Sequence, residues 1–204
     1  MRSMTQEFTA ALERGYVADM DLSDMDLSGI TTSGAVFNRC DLSGADLTGA
    51  DLRDTQFHDC SLRGARLVET DMRSTTFSWC TLKHALLLRS RITDSRLVHV
   101  NLSHAQVRSC TIKRTTIIMS SLAASLIDRS SLEVSMVHCD LTGSQWDGSD
   151  VLVAMAADLK GAEVHGDLES PIVILPSLNE PVLAYSPRAR VADLEAEWRR
   201  ITSE

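Results

Sequence analysis

The sequence predicts an all-β fold, a chain coiled into a four-sided solenoid, on three observations. Apolar residues recur every five positions, small residues recur in a second register two positions earlier, and identical residues return at a spacing of 20. The five-step register runs from Leu22 through Leu47, Leu67, Leu87 and Leu102 to Val137, and Thr32 is its one member that is not apolar. The companion register holds Ala45, Ala50, Cys60, Ala65, Cys80, Ser90 and Cys110. A helix repeats at about 3.6 residues and a strand at 2, so a strict five fits neither straight element. It fits a chain that turns a corner every five residues. Four corners close a coil of 20 residues, and successive coils stack about 4.8 Å apart. Phe37, Phe57 and Phe77 then form one inward column, and Cys40, Cys60 and Cys80 another.

Three segments follow along the chain. Residues 1–18 form an N-terminal cap: a short helix over 4–14, with Phe8, Ala11 and Leu12 on one face, covers the unpaired edge of the first coil. Residues 19–166 are the solenoid, about seven coils. Its register slips after Val137, to Cys139/Leu141, Ser144/Trp146 and Ser149/Val151, and breaks again at Leu152–Ala156 before Ala157/Leu159 and Ala162/Val164. Residues 167–204 carry two β-prone runs between 171 and 185. A final helix then opens with Ser186 as N-cap and Pro187 at its first position. Its stripe of Val191, Leu194, Trp198 and Ile201 is expected to cap the last coil or to join two chains.

Units such as Ala45-Asp46-Leu47-Thr48-Gly49 and Ala50-Asp51-Leu52-Arg53-Asp54 resemble the pentapeptide-repeat family, whose consensus is A(D/N)LXX. The resemblance covers about 19–166 and implies a right-handed quadrilateral β-helix. It further implies a non-enzymatic binding protein. Characterised relatives of the Qnr type protect DNA gyrase from fluoroquinolones, and some are dimeric rods whose acidic surface imitates DNA. A homodimer joined through the C-terminal ends is the corresponding expectation here.

Composition narrows the function classes. Net charge is −8 and aromatic residues make up 4%, so the core is aliphatic and a general nucleic-acid binder is disfavoured. No apolar run is long enough to span a bilayer. The first residues, MRSMTQEFTAALERG, lack the apolar stretch of a secretory signal, so a cytoplasmic location is expected. No P-loop, dinucleotide fingerprint, nucleophile elbow or zinc-protease motif occurs, and no catalytic residue, cofactor or metal is assigned. The five cysteines all fall in the small inward register and are read as reduced, structural residues. His84 and His104, 20 apart, should stack on adjacent coils without enough ligands for a metal.

Two surface features point to a protein partner. Trp79, His99 and Met119 share an outward column with Val98 and Ile118 beside it, and Val68 and Leu88 form a second column with Leu86 nearby. Charge runs acidic, basic, acidic: net −6 over residues 1–80, +6 over 81–127 and −8 over 128–204. Arg91 and Lys113, from the basic middle, join Trp79, Val98, His99, Ile118 and Met119 as the candidate partner surface. The basic belt argues against uniform imitation of DNA. It favours the alternative of an interaction scaffold whose partner the sequence does not name.

Overall fold

In the computed structural model, residues 5–147 are described continuously, with the strands 152–155, 163–165, 173–175 and 183–184 beyond them. The first described element is the helix Gln6–Glu13. The Thr5 hydroxyl caps it by accepting the Phe8 N–H at 3.2 Å, and Phe8 and Ala11 turn onto the first coil.

From Tyr16 the chain coils with about seven turns through the repeat tract. On the first face, Tyr16–Ala18, Val36–Asn38, Gln56–His58, Thr76–Ser78 and Arg96–Val98 stack in parallel, and Thr111–Ile118 follows them. The second face is a ladder of single bridges running Asp21, Asp41, Ser61, Thr81, Asn101 and Ser121. The third holds Arg66–Val68, Leu86–Leu88, Gln106–Arg108, Leu126–Asp128 and Gln145–Asp147. The fourth runs Thr31, Asp51, Asp71 and then Arg91–Thr93, which pairs with the start of Thr111–Ile118.

The pentad has a physical cause at each position. The residue two after the inward apolar one sits at the corner with positive φ, between 47° and 61° in Arg129, Trp79 and His84 among others, and its N–H donates to the next coil. The left-handed region turns the chain without breaking the ladder, and glycine, Asn and Asp enter it most easily. Gly29, Gly44 and Gly49 do so here. The Asp that precedes the inward Leu accepts the N–H two residues on, as in Asp41 to Ser43 at 2.9 Å and Asp46 to Thr48 at 2.9 Å. Hydroxyls and thiols at the small inward position donate to a carbonyl of the preceding coil: Thr75 to Leu52 at 2.8 Å, Ser90 to Leu67 at 2.6 Å, Cys60 to Phe37 at 3.5 Å. Ser, Thr and Cys there can bring their own donor to a nearby carbonyl, and Ala brings no polar group that needs one.

Leu47, Leu67 and Leu102 are buried as the register requires, and all five cysteines are buried and unpaired. Phe37, Phe57 and Phe77 stack with ring centroids 5.0 and 4.9 Å apart. The Phe column ends there, and Leu97, Ile117 and Met136 continue the first face. Around and above them runs an apolar void of about 40 Å3, reaching Trp146.

The structure corrects the position of the first slip. Lys113 faces Glu133, but Thr115 faces Val134, so the corner residue corresponding to Arg114 is missing one coil later. Ser131–Val137 is one unbroken strand, and its two-residue period turns Leu132, Val134 and Met136 inward. Val137, read as a core member from the sequence, is half-buried instead. Cys139/Leu141 and Ser144/Trp146 are buried as expected, and the Trp146 indole N–H donates to Ser144 Oγ at 2.8 Å. The second break shortens the coil to 18 residues without interrupting the ladder. Leu152–Met155 pairs with Val134–Val137, and Val173–Leu175 stacks on it in turn before Leu183–Ala184 pairs antiparallel. Ser149, Val151, Ala157, Leu159 and Ala162 lie outside the described residues, as does the expected helix with Val191, Leu194, Trp198 and Ile201.

Candidate protein-binding surface

The first face ends at a corner column that reads Asp19, Arg39, Asp59, Trp79, His99, Met119 and His138. Each of these residues has positive φ and projects from the edge of the rod. The Trp79 and His99 rings stack with centroids 3.8 Å apart and planes 14° from parallel. Trp79 is 58% exposed and Met119 52%, the largest exposed apolar side chains in this column. Val98 and Ile118 flank them, half-buried on the first face. One ridge thus carries an aromatic ring, an imidazole and a thioether in sequence. Ridges of this kind suit protein recognition, since Trp and Met offer area at low entropy cost.

Arg91 and Lys113 are not part of that ridge. Both lie on the fourth face, separated from Trp79 by the Asp94/Arg114 corner and the width of the first face. The basic belt likewise spreads around the rod: Lys83 on the second face, Arg108 on the third, Arg91 and Lys113 on the fourth and Arg96 on the first. The Val68 column is corrected too. Val68 is only 7% exposed and Leu86 and Leu88 are half-buried, so the third face offers little apolar area.

Corner columns also bring carboxylates and guanidinium groups together at a spacing of 20, an arrangement that a scan for local motifs misses. Arg39 donates to Asp19 through Nε and Nη2, both at 2.7 Å. Arg114 grips Asp94 at 2.6 and 2.7 Å, and Arg89 reaches Glu69 at 2.9 Å through Nε. The Arg39 hydrogen bond holds the Asp19 carboxyl below its ordinary range, and Arg114 does the same for Asp94. His84 and His104 stack at 5.0 Å as their spacing predicts. Desolvation, followed by the charges of His104, Lys83 and Arg63, lowers the His84 imidazole. Among the described residues no three His, Cys, Asp or Glu side chains converge as metal ligands. No helix there is long and apolar enough to cross a membrane.

Comparison with known proteins follows the coil. The family model for pentapeptide repeats matches residues 21–54 and 50–87. Among solved structures, the chain is similar to QnrB1, a plasmid-mediated fluoroquinolone resistance protein, at 16% identity and a TM-score of 0.46, covering 74% of this chain and 84% of that one. It is also similar to HetL from Nostoc sp. strain PCC 7120, a pentapeptide-repeat protein involved in heterocyst differentiation regulation. That match has 14% identity and a TM-score of 0.29, over 85% of this chain and 93% of that one. No curated protein sequence matches the chain.

Proposed function

We propose that this chain, whose residues 21–87 match the family model for pentapeptide repeats, is a non-enzymatic protein-binding rod that acts on a type II topoisomerase such as DNA gyrase. The observation that carries the binding role is the exposed Trp79–His99–Met119 ridge with Val98 and Ile118 beside it. Trp79 and Met119 lie one coil to either side of His99 on this exposed ridge, and a partner that covers the ridge gains the burial of both. The topoisomerase rests on the resemblance of the repeats to proteins that protect gyrase from fluoroquinolones. A second reading, a scaffold for another protein, is favoured by the basic belt of residues 81–127, whose net charge of +6 does not suit imitation of DNA along the whole rod. Two-fold association through the C-terminal segment belongs to the same proposal. Light scattering on the full chain and on a chain ending at Ser186 tests it, and a full chain that stays monomeric at high concentration rejects it.

The deciding experiment is a gyrase supercoiling and DNA-cleavage assay with and without ciprofloxacin. The full chain should restore supercoiling in the presence of the drug, and Trp79→Ser with Met119→Ser should abolish the effect while melting as the parent does. If no concentration of the protein alters supercoiling or cleavage, the topoisomerase reading falls and the scaffold reading takes its place.

A further inference from the structure

Six of the corner positions in the described coils hold a carboxylate with another corner residue 20 positions on. Asp19, Glu69 and Asp94 have Arg39, Arg89 and Arg114 there, and each pair closes. Asp24 and Asp54 are followed by the small residues Gly44 and Ser74. Asp59 alone is followed by an aromatic ring, Trp79. Its main chain sits directly against that residue's coil, the Asp59 N–H donating to Ser78 O at 2.9 Å, and its exposed carboxylate accepts no hydrogen bond from the described residues. Arg39, whose field reaches Asp59, has its Nε and Nη2 committed to Asp19.

We infer that the Asp59–Trp79 corner is a receptor for an arginine side chain of a protein partner. The inference rests on the protein-binding reading above and names the chemistry that the partner must present. The Trp79 ring lies nearly parallel to His99 on one side, so its other face looks onto the coil of Asp59. A guanidinium coplanar with the Asp59 carboxylate takes up the two-point grip that Arg39 makes on Asp19. It also lies about one coil spacing beneath the indole, at cation–π range. A lysine meets the charge but neither the planar grip nor the stacking. The acidic first part of the chain, net −6 over residues 1–80, draws such a group in. Apolar side chains next to the partner's arginine would then rest on Met119 and Val98.

The test follows the Trp79 indole N–H by NMR in the full chain as N-acetyl-arginine amide or its neutral citrulline analogue is added. Arginine should shift the resonance saturably with a dissociation constant on the order of 1 mM, and citrulline should not. Asp59→Asn should weaken arginine binding by about tenfold or more without changing the melting temperature, whereas Asp54→Asn should leave it intact. Equal responses to arginine and citrulline, equal binding of a lysine amide, or an Asp59→Asn protein that binds as the parent does each overturn the inference. Gyrase assays separate it from the broader reading. Loss of the effect in Met119→Ser but not in Asp59→Asn removes the arginine receptor and leaves the interaction surface standing.

Discussion

Replacing Leu97 by Phe should stabilise the protein. Leu97 sits one coil beyond Phe77 at the position that Phe37, Phe57 and Phe77 occupy in their own coils. Where the rings stop, the core loosens: Leu52, Leu62 and Leu67 are 0% exposed, whereas Ile92, Leu97 and Ile117 are 5% and Ile112 is 9%. That residual exposure is the wall of the internal void of about 40 Å3. At roughly 24 cal/mol per Å3, filling all of it would recover about 1 kcal/mol, and since its lining runs from Met72 to Trp146 one ring at position 97 recovers only part. A fourth ring stacked on Phe77, at the 4.9 Å seen between Phe57 and Phe77, adds about 0.5–1.5 kcal/mol. Strain from imperfect fit subtracts part of this, leaving a net gain of about 1 kcal/mol or slightly less. Urea unfolding followed by circular dichroism reads the change, and thermal melting should rise by about 2–4 °C. The control is Leu47→Phe in the filled half of the rod, where the extra volume has no void to enter and should cost about 1–3 kcal/mol. If both substitutions destabilise the protein alike, the loosened core is not a packing defect and the reasoning fails.

Leu67→Asp should prevent folding, because a carboxylate in the dry axis costs several kcal/mol; a β-rich variant with the parent's melting temperature would contradict this. Cys60→Ser should change stability by less than about 1 kcal/mol, since Ser90 already makes the same carbonyl bond at an equivalent position. The Cys60 thiol itself feels a lowering hydrogen bond from Cys40 but is pushed up to about 11 by Cys80 and by burial. It should therefore resist a thiol reagent until the protein unfolds, and fast modification in the native state would refute its structural role. Acid should weaken the fold in two steps. His84, lowered from 6.5, binds its proton more readily when unfolded, so stability is whole above pH 6.5 and declines as pH falls through the folded value. Asp19 and Asp94, lowered from 3.8, add a second loss below that pH as their carboxylates protonate. His84→Asn should erase the first step of the urea midpoint and Asp94→Asn should reduce the second; a midpoint that rises on acidification would overturn both signs.

The inward registers and outward columns were legible because both repeat at fixed spacing. Leu67, Cys60, the Trp79/His99 stack and the His84/His104 stack all lie where counting by fives and twenties puts them. Periodicity alone puts the slip four residues late, because Leu132, Val134, Met136 and Val137 are all apolar and either register accepts them. Only strand geometry, which turns alternate residues inward, separates Met136 from Val137. Summing charge along the chain groups Arg91 and Lys113 with Trp79, whereas a coil deals successive pentads to different faces. The ion pairs of Arg39, Arg89 and Arg114 follow the same 20-residue count among charged residues.

The single missing corner between Glu133 and Val134 bears on how such a coil can change in length. An in-frame loss of one codon anywhere in the preceding coils would rotate every later side chain by one place and drive polar residues into the axis. A loop protein would absorb the same deletion at its surface. Here the deletion is survivable only where alternate residues, not every fifth, are already apolar, as Leu132, Val134 and Met136 are. Elsewhere inheritance must add or remove whole pentads, or whole coils. The rod's length is therefore quantised, and the described pairings depart from that quantum twice, by one residue at Glu133/Val134 and by two in the coil that carries Val134 to Leu152 and Gln145 to Glu163.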